Sequence, residues 1–289
     1  MTSWVLGTAN FGQQYGISNK TELTENEIIQ ILQLAHDAGI KRTDTAQAYG
    51  QAEEILGRNL TAHAMKVTSK IAINQDDNLK SLRIKLNQTL KNLQSNCIEN
   101  LLVHSLEIKN DLHLQEINKA LIDLQREGLF SNFGFSIYKF DEITYLMNAF
   151  PNATVFQVPE NIIDQRLLRR TEMQTYSDAG INFQIRSIFL QGLLLQTPRQ
   201  PMLNLPALAS HMDKFIEYCG FNSISPLSAC IAYAESIPWK KEIIFSVNSV
   251  LQMKEFIEAI RHIKELDLDN LIELSAAHLK EVDPRTWET

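Results

Sequence analysis

The run DTAQAYGQAEEILG, residues 44–57, sets a carboxylate at Asp44 and, with four residues between, a phenol at Tyr49. Two further groups extend the set: Lys70 in KVTSKI and His104 in NLLVHS. A free phenol, with a pKa of about 10, is a poor acid at neutral pH. An ammonium beside it favours the phenolate, and a buried carboxylate keeps that ammonium charged and oriented. A histidine at the same point can hydrogen-bond a carbonyl and orient it. Together these groups could protonate a carbonyl oxygen while hydride reaches its carbon. Each has a plain structural reading too: a capping Asp, a packing Tyr, a solvated Lys, a satisfied core His. Chance convergence of all four on one face is improbable, and that sets them apart from these readings.

Strands alternating with helices would supply that face. β-type runs are predicted at Trp4–Leu6, Ile40–Thr43, Lys66–Lys70, Asn100–His104, Asn132–Ser136, Val155–Val158, Asn182–Arg186 and Ile243–Ser246. Helical periodicity separates them. In TENEIIQILQLAHDAG, Thr24 and Glu27 have capping-box spacing, Ile28, Ile31, Leu32 and Ala35 share a face, and Gly39 follows as a terminator. NLKSLRIKLNQTLKNLQ repeats the period through Leu79, Leu82, Leu86, Leu90 and Leu93, and LHLQEINKALIDLQREG repeats it again. Parallel strands need crossover helices, so eight such units without a linker predict one α/β domain over residues 1–289, a (β/α)8 TIM barrel. A loop over about 187–206, with Pro198, Pro201 and Pro206, and a helical tail over about 264–289 decorate it. Catalytic groups of such barrels sit at the C-terminal strand ends. The residues predicted there are Asp44, Lys70, His104, Ser136, Gln157, Arg186, Ser187 and Ser246, with Tyr49 just beyond.

Composition agrees with an ordinary globular chain: 289 residues, 44% hydrophobic and 21% charged. A net charge of −7 argues against nucleic acid or an anionic membrane as the main partner. Cys97, Cys219 and Cys230 form neither a CxxC pair nor a metal pattern, which fits a reducing cytoplasm. The first residues do not read as a signal peptide, no apolar run is long enough to cross a membrane, and no metal constellation is expected.

With these residues in place, DTAQAYGQAEEILG resembles the DTAxxYGxSExxLG signature of the aldo-keto reductase superfamily. The likeness runs on through LGTANFG, the Lys of SK, LLVHS, GFS, FQVPEN and IFSVNSVLQMKEF, nearly the whole chain. The resemblance implies a (β/α)8 barrel with an extended NADPH across its mouth. It implies Tyr49 as general acid/base, Lys70 and Asp44 as its tuning pair, and His104 as the residue that orients substrate. Cofactor contacts are implied at Gly7, Thr8, Asp44, Ser136, Gln157, Arg186, Ser187, Phe189, Gln191, Ser246, Asn248, Gln252 and Glu255.

Several positions depart from the family pattern. Ile137 stands where Asn is common, Ser246 where Gly is usual and Phe256 where Asn is common. Arg186 occupies the position of an aromatic that stacks on nicotinamide; its planar guanidinium could stack likewise or hold a substrate anion. No cation stands where the 2′-phosphate is most often gripped, leaving Lys254 as a candidate, so NADPH is expected with NADH as an alternative. The loop SLEIKNDL is short, which in this family implies an open site suited to a polar, sugar-like carbonyl. The likeness of RSIFLQGLLL to a bacterial carbohydrate-related branch points the same way. The expectation is an NAD(P)H-dependent oxidoreductase acting on such a small molecule. A nicotinamide-binding regulatory subunit with little turnover is the alternative.

Overall fold

The computed structural model describes residues 3–13, 22–59, 65–108, 110–168, 170–196, 205–239, 241–263 and 268–287. Pro198 and Pro201 lie outside them. In chain order, β1 (Ser3–Gly7) leads to α1 (Glu25–Asp37), β2 (Arg42–Asp44) to α2 (Ala52–Asn59), and β3 (Lys66–Ile73) to α3 (Leu79–Asn92). The alternation continues with β4 (Ile98–Leu106), α4 (Asp111–Arg126), β5 (Phe130–Ser136), α5 (Phe140–Ala149), β6 (Val155–Pro159) and α6 (Thr171–Asp178). After β7 (Asn182–Arg186), two helices, α7 (Pro206–Phe221) and α8 (Pro226–Ser236), precede β8 (Lys241–Phe245) and α9 (Val250–Arg261). All eight strands pair in parallel in the order β1 to β8, and β8 closes on β1 through Ser3↔Glu242 to Leu6↔Phe245.

Local signals and tertiary packing agree in most elements. Thr24 and Glu27 form the capping box of α1: Glu27 N–H donates to Thr24 Oγ1 at 3.3 Å and Thr24 N–H to Glu27 Oε2 at 2.9 Å. Ile28, Ile31, Leu32 and Ala35 are fully buried behind it. On α3, Leu82, Leu86 and Leu90 are buried, whereas Leu79 is 39% exposed. Leu79 is the first residue of that helix, and the apolar stripe begins one turn later.

One expectation needs correction. Lys70 and His104 do not end their strands. β3 runs on to Ile73 and β4 to Leu106, because the pair continues past a register shift at Ile71/Ala72 into Ala72↔Ser105 and Ile73↔Leu106. In its described part the tail is built of short 3-10 helices, at Leu268–Leu274, Lys280–Val282 and Pro284–Thr286, the tighter geometry common in short pieces.

A polar ladder runs through the barrel interior. At one end Arg42 bridges Glu99 at 2.9 Å and Glu242 at 3.2 Å. Gln184 donates to Glu242 at 2.8 Å, and Gln157 donates to Gln184 Oε1 at 3.1 Å and to Asp44 Oδ1 at 2.7 Å. Asn100 donates to Thr68 at 2.9 Å. Buried polar groups of this kind are tolerable only when paired.

Candidate active site

At the upper end of that ladder the carboxylate of Asp44 is satisfied on both oxygens. Gln157 Nε2 occupies Oδ1, and Lys70 Nζ donates to Oδ2 at 2.5 Å. The lysine is 1% exposed and also donates to the Thr45 carbonyl at 3.0 Å. Its third direction reaches Tyr49 Oη at 3.4 Å. Burial alone would push the Lys70 pKa down. The charge of Asp44, with the hydrogen bonds to Asp44 and Tyr49, outweighs that and holds it above its ordinary value, so the ammonium persists at neutral pH.

Tyr49 is held by a short turn rather than by a strand. Tyr49 N–H donates to Ala46 O at 3.0 Å and Ala52 N–H to Tyr49 O at 3.1 Å. Gly50 follows at φ +56°, and a Cβ there would lie 2.5 Å from Gly12 O. The loops after β1 and β2 therefore press together at two glycines and fix the phenol above Lys70. The half-buried His104 ring meets the Tyr49 ring edge-on, 6.0 Å between centroids. Desolvation, followed by the charge of Lys70, lowers the His104 pKa to about 4, with Asp44 opposing and Arg186 adding to the shift. The imidazole is thus neutral at pH 7 and can donate one N–H.

Asp44 and Tyr49 line a cavity of about 410 Å³ that runs across the barrel mouth to the start of α9. Of the residues implied as cofactor contacts, Gly7, Thr8, Asp44, Gln157, Arg186, Ser187, Phe189, Gln191, Ser246, Asn248 and Gln252 line it. Ser136 ends β5 beside Gln157 but is not among the lining residues, and Glu255 is exposed on α9. Phe256 does not face the cavity; it stacks on Phe245 with 3.6 Å between centroids and is 1% exposed. Lys254 is exposed on α9.

After β7 the backbone enters the left-handed region at Ser187 (φ 62°), Leu190 (φ 46°), Gln191 (φ 53°) and Gly192 (φ 89°). Three of these are not glycine, and such strain concentrates where a site requires it. Leu190, Leu193 and Leu194 are buried, so their packing holds the turn while Ser187, Gln191 and Gly192 face the cavity. Asn161 braces the same turn, donating from Nδ2 to Ser187 O at 3.1 Å. The donors are suited to an extended, anionic dinucleotide: hydroxyls of Ser187 and Ser246 and amides of Gln191, Asn248 and Gln252, with Asp44 the sole lining carboxylate among the described residues and already paired.

The sequence reading passed over two supports. Asn10 donates to Val247 O and, at 3.0 Å, to Asn248 Oδ1, tying the β1 loop to the β8 loop. Tyr138 carries the guanidinium of Arg186 over its ring, 4.1 Å from the centroid. Asn10 lies inside the LGTANFG stretch but gives no local sign of its role, and Tyr138 belongs to no recognisable pattern; both act through partners distant in sequence.

The family model described as the aldo/keto reductase family matches residues 4–276. The aldo-keto reductase AKR11C1 from Bacillus halodurans, in its holo form, superposes with a TM-score of 0.74 at 18% identity, covering 96% of this chain and 94% of that one. PA4992 of Pseudomonas aeruginosa, a proposed aldo-keto reductase, superposes with a TM-score of 0.63 at 21% identity, covering 89% and 88%. At these identities the likeness shows the fold. No curated protein matches the sequence at a significant level.

Proposed function

The chain belongs to the aldo/keto reductase family, whose members are NADP-dependent carbonyl oxidoreductases, and from that premise we propose how this one works and on what. Tyr49 is the general acid that protonates the carbonyl oxygen in reduction and the base in the reverse direction. The observation that carries this is the chain from Asp44 Oδ2 to Lys70 Nζ, 2.5 Å, and on to Tyr49 Oη, 3.4 Å, at the wall of the cavity. Asp44 fixes the ammonium, and the ammonium stabilises the negative charge left on the phenol oxygen when its proton departs. Neutral His104 donates an N–H to the same carbonyl oxygen and sets its angle to Tyr49. When bound, reduced nicotinamide supplies the hydride.

NADPH is the preferred donor in this reading and NADH the alternative. The hydroxyl and amide groups of Ser246, Asn248 and Gln252, with the first turn of α9 behind them, support an anionic adenosine end. A polar, sugar-like carbonyl is favoured by the short passage between Leu106, the last residue of β4, and Asn110, the N-cap of α4, which leaves the mouth open. The test is oxidation of NADPH and NADH by the purified protein over sugar aldehydes, ketosugars and aryl aldehydes, beside Tyr49→Phe. Turnover that disappears in the variant supports the assignment. An unchanged rate in the variant overturns it, and tight cofactor binding without turnover of any carbonyl favours the regulatory reading.

A further inference from the structure

We propose that Arg186 is the anion-recognising residue of the substrate pocket, and that the carbonyl compound turned over here carries a carboxylate or phosphate group. This rests on the reductase reading above and adds a substrate class to it.

Arg186 ends β7, is half-buried and lines the cavity together with Tyr49. Its guanidinium is oriented by three contacts. Nη2 donates to Ile137 O at 3.1 Å, Nη1 to Ser187 Oγ at 3.3 Å, and the group lies over the Tyr138 ring. No carboxylate lies within 4 Å of it among the described residues. The acids that could have served are engaged elsewhere. Lys70 holds Asp44, Arg166 holds Asp164 at 2.7 Å, Arg285 holds Asp283 at 2.5 Å, and Glu142 accepts the N–H groups of Tyr138 and Lys139. A guanidinium carries five N–H donors in a planar fork that matches an oxyanion, and two are used here. The charge of Asp164 is felt at this distance, but it makes no ion pair with Arg186 within 4 Å, so the partly desolvated guanidinium lacks a direct counter-charge that a ligand anion would supply.

The cofactor's diphosphate is the other anion that could reach this cavity, and the direction of the guanidinium argues against it. Ile137 and Tyr138 follow β5, while Gln191, Ser246, Asn248 and Gln252 lie on the β7, β8 and α9 side. The charge of Arg186 is also felt at His104 on β4, the residue that meets the Tyr49 ring. Arg186 therefore leans to the side where the carbonyl must lie. A second guanidinium, Arg285 of the tail, lies over the same Tyr138 ring at 3.3 Å, but Asp283 neutralises it. It backs the ring and adds no free charge.

The experiment compares matched aldehydes in NADPH-dependent initial rates: para-carboxybenzaldehyde against its methyl ester, and glyceraldehyde phosphate against glyceraldehyde. Wild type, Arg186→Met and Arg186→Lys are assayed, with NADPH affinity followed by fluorescence titration and folding by melting temperature. Wild type should favour the anionic member of each pair in kcat/KM by about 10- to 100-fold, the worth of a charged hydrogen-bonded contact. Arg186→Met should erase that preference mainly through KM, and Arg186→Lys should retain part of it. Equal preference in wild type and Arg186→Met overturns the proposal while leaving the reductase reading intact. Loss of NADPH affinity with the preference retained also overturns it and assigns Arg186 to the diphosphate. Absence of turnover for both members of every pair overturns the reductase reading and the proposal with it.

Discussion

In the proposed mechanism Lys70 is the pivotal group: its side chain is fully buried with one carboxylate, one carbonyl and one phenol around it. Replacing it with Met would leave Asp44 buried beside Gln157 without its counter-charge. Breaking a buried pair on one side typically costs about 3–5 kcal/mol. Lys70→Met should therefore lose activity and also unfold at lower urea, whereas Tyr49→Phe should lose about 10²- to 10⁴-fold in kcat with little change in NADPH affinity or urea midpoint. His104 adds a pH signature. In the unfolded chain its imidazole takes up a proton near pH 6.5, and in the folded chain only near 4. Between those values the unfolded state binds more protons, so stability falls as pH drops from about 6.5 toward 4 and is unaffected by this group above 6.5. Melting temperature against pH should show a shallower acid slope for His104→Gln than for wild type. Equal slopes would mean that the ring is protonated normally in the fold.

Elements set where these groups can stand. β5 meets β6 through Gly134↔Val155, and a Cβ on Gly134 would lie 1.6 Å from Val155 O. The glycine of GFS is thus required by backbone approach, and Ser136 and Gln157 share a level only because the two strands come this close. Gly134→Ala should cost at least about 3 kcal/mol, at the severe end for point substitutions, and reduce soluble yield; calorimetry of the purified variant checks it. The turn after β7 works differently. Its left-handed residues Ser187, Leu190 and Gln191 are maintained by buried leucines and by Asn161, not by their own preferences. The motif was visible as RSIFLQGLLL, but the strain that turns it toward the cavity was not, because it depends on β6 bracing β7.

For the whole molecule, the closed barrel brings residues from β1, β2, β6, β7 and β8 around one cavity. A ligand bound across it links both ends of the chain, so cofactor binding should be seen as global stabilisation. At a concentration about 100-fold above Kd, NADPH should add about 2.7 kcal/mol and raise the melting temperature by roughly 5 °C. NADH at the same concentration should give a smaller shift if the adenosine end distinguishes the phosphate. Equal shifts would point to a site indifferent to it.

By itself the sequence determined the strand-and-helix alternation and the number of strands, and it marked Asp44, Tyr49, Lys70 and His104 as candidates for one site. Those signals are local: an apolar period, a capping box, a motif carried within a few residues. Only the tertiary structure decided that β3 and β4 run past Lys70 and His104, that Gln157 reaches Asp44 across the barrel, and that Phe256 belongs to the core. It also decided that Arg186 lies on Tyr138 with no acid within ion-pair distance among the described residues. Each of these depends on a partner far along the chain, and barrel closure, not any local preference, brings the partners within bonding distance.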